Sequence, residues 1–204
     1  MNNTLLAAAI GLTVAFAGQV MGQDLYFGGG LAYTDGTSDT VSAGSGSSSL
    51  SAPLLSAVIG QRFTAANVFF GWEANADFSF GAGTTGSVTD AGCSDGATGS
   101  YLCAHDATVR LVGVVGTTIN NGISLFGTAG LGGLKGDFST SPSAVESGSV
   151  YGWTAGVGIS HGLFNGAEMR GELIYDKFSN PDQPNAFQSQ YDATTVRITV
   201  VRKF

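Results

Sequence analysis

The chain has 204 residues, enough for one domain, and only 11% of them are charged, less than half the share of about 25% found in ordinary soluble domains. Its 8 Lys plus Arg stand against 15 Asp plus Glu, and the isoelectric point is near 4.5. That balance excludes a nucleic-acid partner, which needs a basic stripe. Residues 4–21, TLLAAAIGLTVAFAGQVM, form an apolar run ending in small residues. It is too short for a spanning helix and has the form of an export signal, so residues 1–22 are expected to be a cleaved signal peptide and 23–204 a single barrel domain.

Eight stretches of two-residue alternation follow, near 24–34, 52–63, 67–80, 104–118, 123–136, 148–161, 167–178 and 191–204. Such alternation marks strands whose two faces meet different surroundings. Long polar linkers are predicted at 35–51, 81–103, 137–147 and 179–190, including the low-complexity run SAGSGSSS at 42–49, and short turns at 64–66, 119–122 and 162–166. Short periplasmic turns alternating with longer external loops, with an even strand number, are what outer-membrane barrels show. The fold predicted is an all-β, eight-stranded antiparallel up-and-down transmembrane barrel.

Parity assigns the faces. In the last strand Thr194, Val196, Ile198, Val200 and Phe204 alternate with Thr195, Arg197, Thr199, Val201 and Lys203. In the third, Phe70, Trp72, Ala74, Ala76 and Phe78 alternate with Gly71, Glu73, Asn75, Asp77 and Ser79, and in the sixth Tyr151, Trp153, Val157 and Ile159 oppose Gly152, Thr154, Gly158 and Ser160. A soluble lipocalin-like barrel would put the apolar set inside. The ionisable residues decide against it: Arg62, Glu73, Asp77, Arg110, Glu168, Arg170, Glu172 and Arg197 all fall on the polar face, and a water-facing surface so poor in charge would be hard to keep soluble. The apolar face therefore points to lipid, and these eight residues form a charge cluster in the lumen. Tyr33, Phe78, Phe80, Tyr151, Trp153, Tyr175 and Tyr191 are expected to line the outer membrane interface, and Phe27, Phe63, Phe70, Phe164 and Phe204 the periplasmic one.

The export segment, the opening strand DLYFGGGLAYT, the alternation and the last strand YDATTVRITVVRKF resemble the small OmpA/OmpX-type barrels, particularly the porin-like outer-membrane proteins of alphaproteobacteria. The resemblance covers the whole chain after the export segment. It implies residence in the outer membrane, contact with its lipid and lipopolysaccharide, and Phe204 as the C-terminal signal read by the barrel-assembly machinery. A peptidoglycan-binding domain, carried by longer members, is not expected after Phe204.

Chemistry is sparse. A hydrolase needs a Ser and a His within hydrogen-bond reach and a third group to orient the base, but Ser160 and His161 are strand neighbours on opposite faces, and so are His105 and Asp106. Glu73 and Asp77 share a wall and could handle protons, yet the mixed signs around them favour a paired, space-filling cluster. Gly28 to Gly30 and Gly127 to Gly136 lack the strand-to-helix setting of a nucleotide loop. Asp35, Asp39, Asp90 and Asp95 have no calcium-loop spacing. No cofactor and no metal are expected. The reading is a non-enzymatic monomer with a closed, charge-paired lumen that serves envelope integrity or surface interaction through its loops; a small pore and a lipid-modifying barrel enzyme are the alternatives. Cys93 and Cys103 share one Gly/Ser-rich segment, and an exported protein with so close a pair is expected to bridge them; two thiols alone fall short of a zinc site. Thiol labelling of freshly isolated outer membranes should fail without reductant and succeed after reduction, and ready labelling of both cysteines would exclude the bridge.

Overall fold

The computed structural model describes residues 22–40, 47–80, 101–119, 122–141, 144–179 and 189–204. Residues 1–21, which hold most of the expected export segment, and Cys93 lie outside the described residues, as do Asp90 and Asp95. The strands are β1 (Gly22–Thr40), β2 (Ser47–Ala65), β3 (Val68–Ser79), β4 (Tyr101–Thr118), β5 (Ile123–Ser141), β6 (Ala144–Gly162), β7 (Ala167–Ser179) and β8 (Ser189–Lys203). Each pairs antiparallel with the next, and β8 returns to β1 over Tyr26↔Lys203 to Thr40↔Ser189, closing the barrel. Closure pairs every strand on both sides and so removes the sheet edges that would leave backbone groups unpaired in hydrocarbon. Beside the closing seam, Phe204 donates its backbone N–H to the Leu25 carbonyl at 2.9 Å and stacks its ring on Phe27, centroids 5.0 Å apart.

The polarity is that of a barrel in lipid. Leu31, Leu111, Leu131, Val157 and Ile198 are 58–70% exposed on the outside, whereas Glu73, Asp77, Arg170 and Arg197 are at most 1% exposed inside. An apolar surface and a charged core invert the arrangement of a soluble protein.

The strands run further than alternation alone suggests. Linker 35–51 is mostly strand, since β1 continues to Thr40 and β2 begins at Ser47; linker 137–147 shrinks to 142–143 between the paired Ser141 and Ala144. Tyr101 to Cys103 belong to β4, and Ser189 and Gln190 to β8. These Ser-, Thr- and Gly-rich ends look like loop by composition, but a neighbouring strand satisfies their backbone regardless of side chain, and β-propensity yields to that context. The outward residues change character at one level around the barrel: Tyr33 gives way to Asp35, Pro53 to Ser51, Gly133 to Lys135, Tyr151 to Ser149 and Tyr175 to Lys177. Beyond that line β1 continues from Thr34 to Thr40, which at the rise and tilt of barrel strands carries its end on the order of 15 Å above the apolar band.

At the opposite end the turns are tight. Ala66 adopts φ 55° in the link between β2 and β3, and Asn165 φ 58° in the 3-10 turn Phe164–Gly166. Left-handed backbone suits Asn and burdens an alanine Cβ. Replacing Ala66 by Gly should raise unfolding stability in lipid by about 0.5–1 kcal/mol, and Ala66→Val should lower it; denaturant titration followed by the gel shift between folded and unfolded barrel reads both.

Candidate functional site

The lumen is built in layers, and β7 supplies one inward residue to each. From the turn end these are Glu168, Arg170, Glu172, Ile174, Asp176 and Phe178, all buried. In the first layer Arg62 Nη1 lies 2.9 Å from Glu168 Oε1, and Lys203 Nζ reaches Glu168 Oε2 at 3.3 Å. The Arg62 guanidinium rests over the rings of Tyr26 and Phe69, each 4.8 Å away, contacts that attract a cation to the π face. In the second layer Arg170 meets Glu73 at 2.5 Å and Glu172 at 3.1 Å, while lying 4.7 Å from the Phe126 ring. Arg197 holds Glu172 through Nε at 2.9 Å and Nη2 at 2.8 Å, and the Tyr26 hydroxyl donates to Glu73 Oε2 at 2.8 Å. A side chain at Gly158 would collide with the Phe126 ring, so glycine on this wall makes room for the ring that carries Arg170.

The third layer centres on Arg110. Its Nε and Nη2 grip Asp176 as a fork at 2.9 and 2.5 Å, and its Nη1 pairs with Asp77, which also accepts the Ser56 hydroxyl at 2.5 Å. Two-point geometry of this kind is specific to arginine and is stronger than a single contact. Across the three layers Arg62, Arg110, Arg170 and Arg197 face Glu73, Asp77, Glu168, Glu172 and Asp176, and Lys203 balances the fifth carboxylate. An unpaired charge in so dry a space would carry a penalty of several kcal/mol, and the equal numbers avoid it.

All eight residues of the predicted cluster thus lie in the lumen, each in an ion pair. Parity in β7 places Asp176 on the same face, four residues after Glu172, and that signal identifies a member the cluster lacked. Tyr191 does not line the outer interface. It is 1% exposed and points inward, because it shares the parity of Arg197 and β8 continues in register past the membrane level. Nor is the inward face polar throughout: above the charge layers Leu50, Leu102, Leu134, Val150, Phe178, Tyr191 and Ala193 form an apolar cluster inside the loop end. Beside it the Leu102 N–H donates to Ser38 Oγ on β1 at 3.2 Å, although β1 and β4 are not neighbours in the sheet. This part of the barrel stands outside the apolar band, so the polarity reverts there to apolar inside and polar outside, as water requires.

The residues weighed for hydrolysis do not assemble. Ser160 is buried and His161 exposed, as is Asp106. His105 is buried and places Nε2 2.7 Å from Thr108 Oγ1 within the loop-end lumen. Among the described residues no group of three or more His, Cys, Asp or Glu is arranged to hold a metal.

The structure defines an eight-stranded transmembrane β-barrel with a filled, charge-paired interior. No protein-family model matches the chain, and none of the curated proteins does. Solved structures do. Ail, the attachment invasion locus protein of Yersinia pestis, is 16% identical with a TM-score of 0.51, the match covering 89% of this chain and 97% of that one. Neisserial surface protein A is 12% identical with a TM-score of 0.54, over 90% and 99%. The outer membrane protein OprG from Pseudomonas aeruginosa is 13% identical with a TM-score of 0.54, over 90% and 97%. At these identities the likeness is one of fold.

Because Arg197 touches Glu172 closely and lies within 4 Å of Glu73 and Asp77 as well, Arg197→Ala should cost about 3–5 kcal/mol by stranding those carboxylates. Arg202→Ala, on an exposed side chain facing away from the lumen, should stay within about 0.5 kcal/mol. Equal costs for the two in lipid-bilayer unfolding would contradict the layered charge core.

Proposed function

We propose that this chain is a non-enzymatic outer-membrane protein, a monomer whose closed lumen carries no solute and whose activity resides at its loop end, in envelope integrity or surface interaction. The observation that carries the reading is the combination of an apolar exterior with a lumen whose charges are consumed by one another. Eight strands enclose an interior just wide enough for side chains, while aqueous channels use about sixteen to eighteen. Here that space holds four arginines, five carboxylates and the rings of Tyr26, Phe69 and Phe126, and the apolar cluster sits over them at the loop end.

The short turns face the periplasm in this reading, and the loop-end strands extend past the apolar band. Two of the fold neighbours are named as an attachment invasion locus protein and a surface protein, which supports a role in surface contact. Outer-membrane lipid and lipopolysaccharide surround the wall, and the assembly machinery reads Phe204, a residue 64% exposed at the rim of the turn end.

Planar-bilayer recording of the purified barrel tests the closed lumen. Membranes holding folded protein should stay silent, and Arg110→Ala alone should leave them silent because the apolar cluster remains above it. Long-lived, reproducible conductance steps from the wild-type monomer would replace this reading with that of a small pore.

A further inference from the structure

The chain has only 8 Lys and Arg, and where each of them lies is informative. Arg62, Arg110, Arg170 and Arg197 are spent inside the lumen. Arg202 and Lys203 lie at the turn end. The two that remain, Lys135 on β5 and Lys177 on β7, both face outward, and both are the first residues past the apolar band on their strands. Only β6 separates them. Its outward residues at that level are Ser149, level with Lys135, then Tyr151, and Trp153, level with Lys177.

The rest of the ring at this height is neutral or acidic: Asp192 on β8, Asp35 on β1, Ser51 on β2 and Asp106 on β4. The outward cations at this height therefore lie on one flank only, while acids occur around the ring. Three acids adjoin that flank, the first being Asp106, which is exposed on β4 and lies in register beside Lys135. Asp137 lies two residues further out than Lys135 on the same face. Asp192 is level with Lys177, at 3.6 Å from its Nζ, and also accepts the Tyr175 hydroxyl at 3.2 Å and the Gln190 amide at 3.0 Å. That pairing leaves Lys177 with 42% of its side chain exposed, and an exposed pair of this kind contributes little and yields to a better partner.

Between the lysines lies an aromatic platform. Tyr151 is 67% and Trp153 46% exposed, and Trp153 packs against Tyr175 with ring centroids 5.4 Å apart. Amphipathic rings settle at the lipid headgroups, which fixes the depth of the two ammonium groups. The anions at that depth are lipid phosphates. Strands β5 and β7 stand about 10 Å apart across β6 and the lysines are offset along it from Ser149 to Trp153, so Lys135 and Lys177 are on the order of 16 Å apart, and a ligand touching both needs two separate anionic groups with a body that can rest on aromatic rings.

Resting on the outer-membrane reading above, we propose that the β5–β6–β7 flank is a docking surface for a bisphosphorylated glycolipid of the outer leaflet. Lys135 and Lys177 each take one phosphate, and the sugar body lies against Tyr151 and Trp153. The opposite flank, around Asp35 and Ser51, has no lysine or arginine at this height and does not hold this lipid, so the barrel has a defined lipid-facing orientation.

Native mass spectrometry of the full-length barrel, delipidated and then titrated with bisphosphorylated lipid A or with its fully dephosphorylated form, tests the assignment. The wild type should retain the bisphosphorylated lipid about tenfold more strongly than the dephosphorylated one, the sum of two exposed charge contacts. Lys135→Gln and Lys177→Gln should each lose part of that preference and the double variant all of it, with Arg202→Gln unchanged. A wild type indifferent to the phosphates would overturn the proposal, and so would a double variant that keeps the preference. The gel shift of the folded barrel and its insertion into lipid nanodiscs are read on the same samples: failure to insert strikes the membrane reading itself, while insertion without preference strikes only the site.

Discussion

The whole structure depends on how little space eight strands enclose. A chain that crosses hydrocarbon as β-structure must close on itself, since an open edge would leave backbone N–H and C=O groups without partners. Closure at eight strands leaves a core only as wide as its side chains. The polar half of every alternating strand must fit there, and each charge must find an opposite charge within reach. The arginines meet this constraint in different ways: Arg110 by a fork onto Asp176, Arg197 by a shared Glu172, and Arg62 by lying against aromatic rings while it pairs with Glu168.

The same constraint explains the glycines and rings of the wall. A narrow barrel cannot hold a large residue at every inward position, so Phe126 lies over the bare backbone of Gly158 and Tyr26 over Gly60. Those rings in turn carry Arg170 and Arg62. Alternation of large and absent side chains across neighbouring strands is thus part of the charge network, since without the rings the guanidinium groups would lose their lining.

Above the apolar band the surroundings change from lipid to water, and the barrel reverses its faces without any change of backbone. Lys135, Ser149 and Lys177 take the outside while Leu134, Val150 and Phe178 take the inside. One fold therefore contains two cores of opposite character, a charged one within the membrane and an apolar one beyond it. The apolar one joins six strands at the loop end.

Much of this was legible in the sequence. Alternation is a local property with a period of two, so strand number, the identity of each face and the inward position of Arg62, Glu73, Arg110, Arg170 and Arg197 follow from residues a few positions apart. The sign balance of the polar face already implied pairing. What pairs with what was decided by the tertiary structure alone, because closure and register bring together Glu73 and Arg170 from positions 97 apart and Arg62 and Glu168 from positions 106 apart. The strand ends were hidden for a related reason: Asp, Gly and Ser dominate 35–39 and 139–141 and carry no strand preference, and a partner strand made them sheet. Tyr191 was misplaced because an aromatic near a strand end suits both the interface and the lumen. Only the height of the membrane band, which the closed barrel sets for all strands at once, assigns it to the interior.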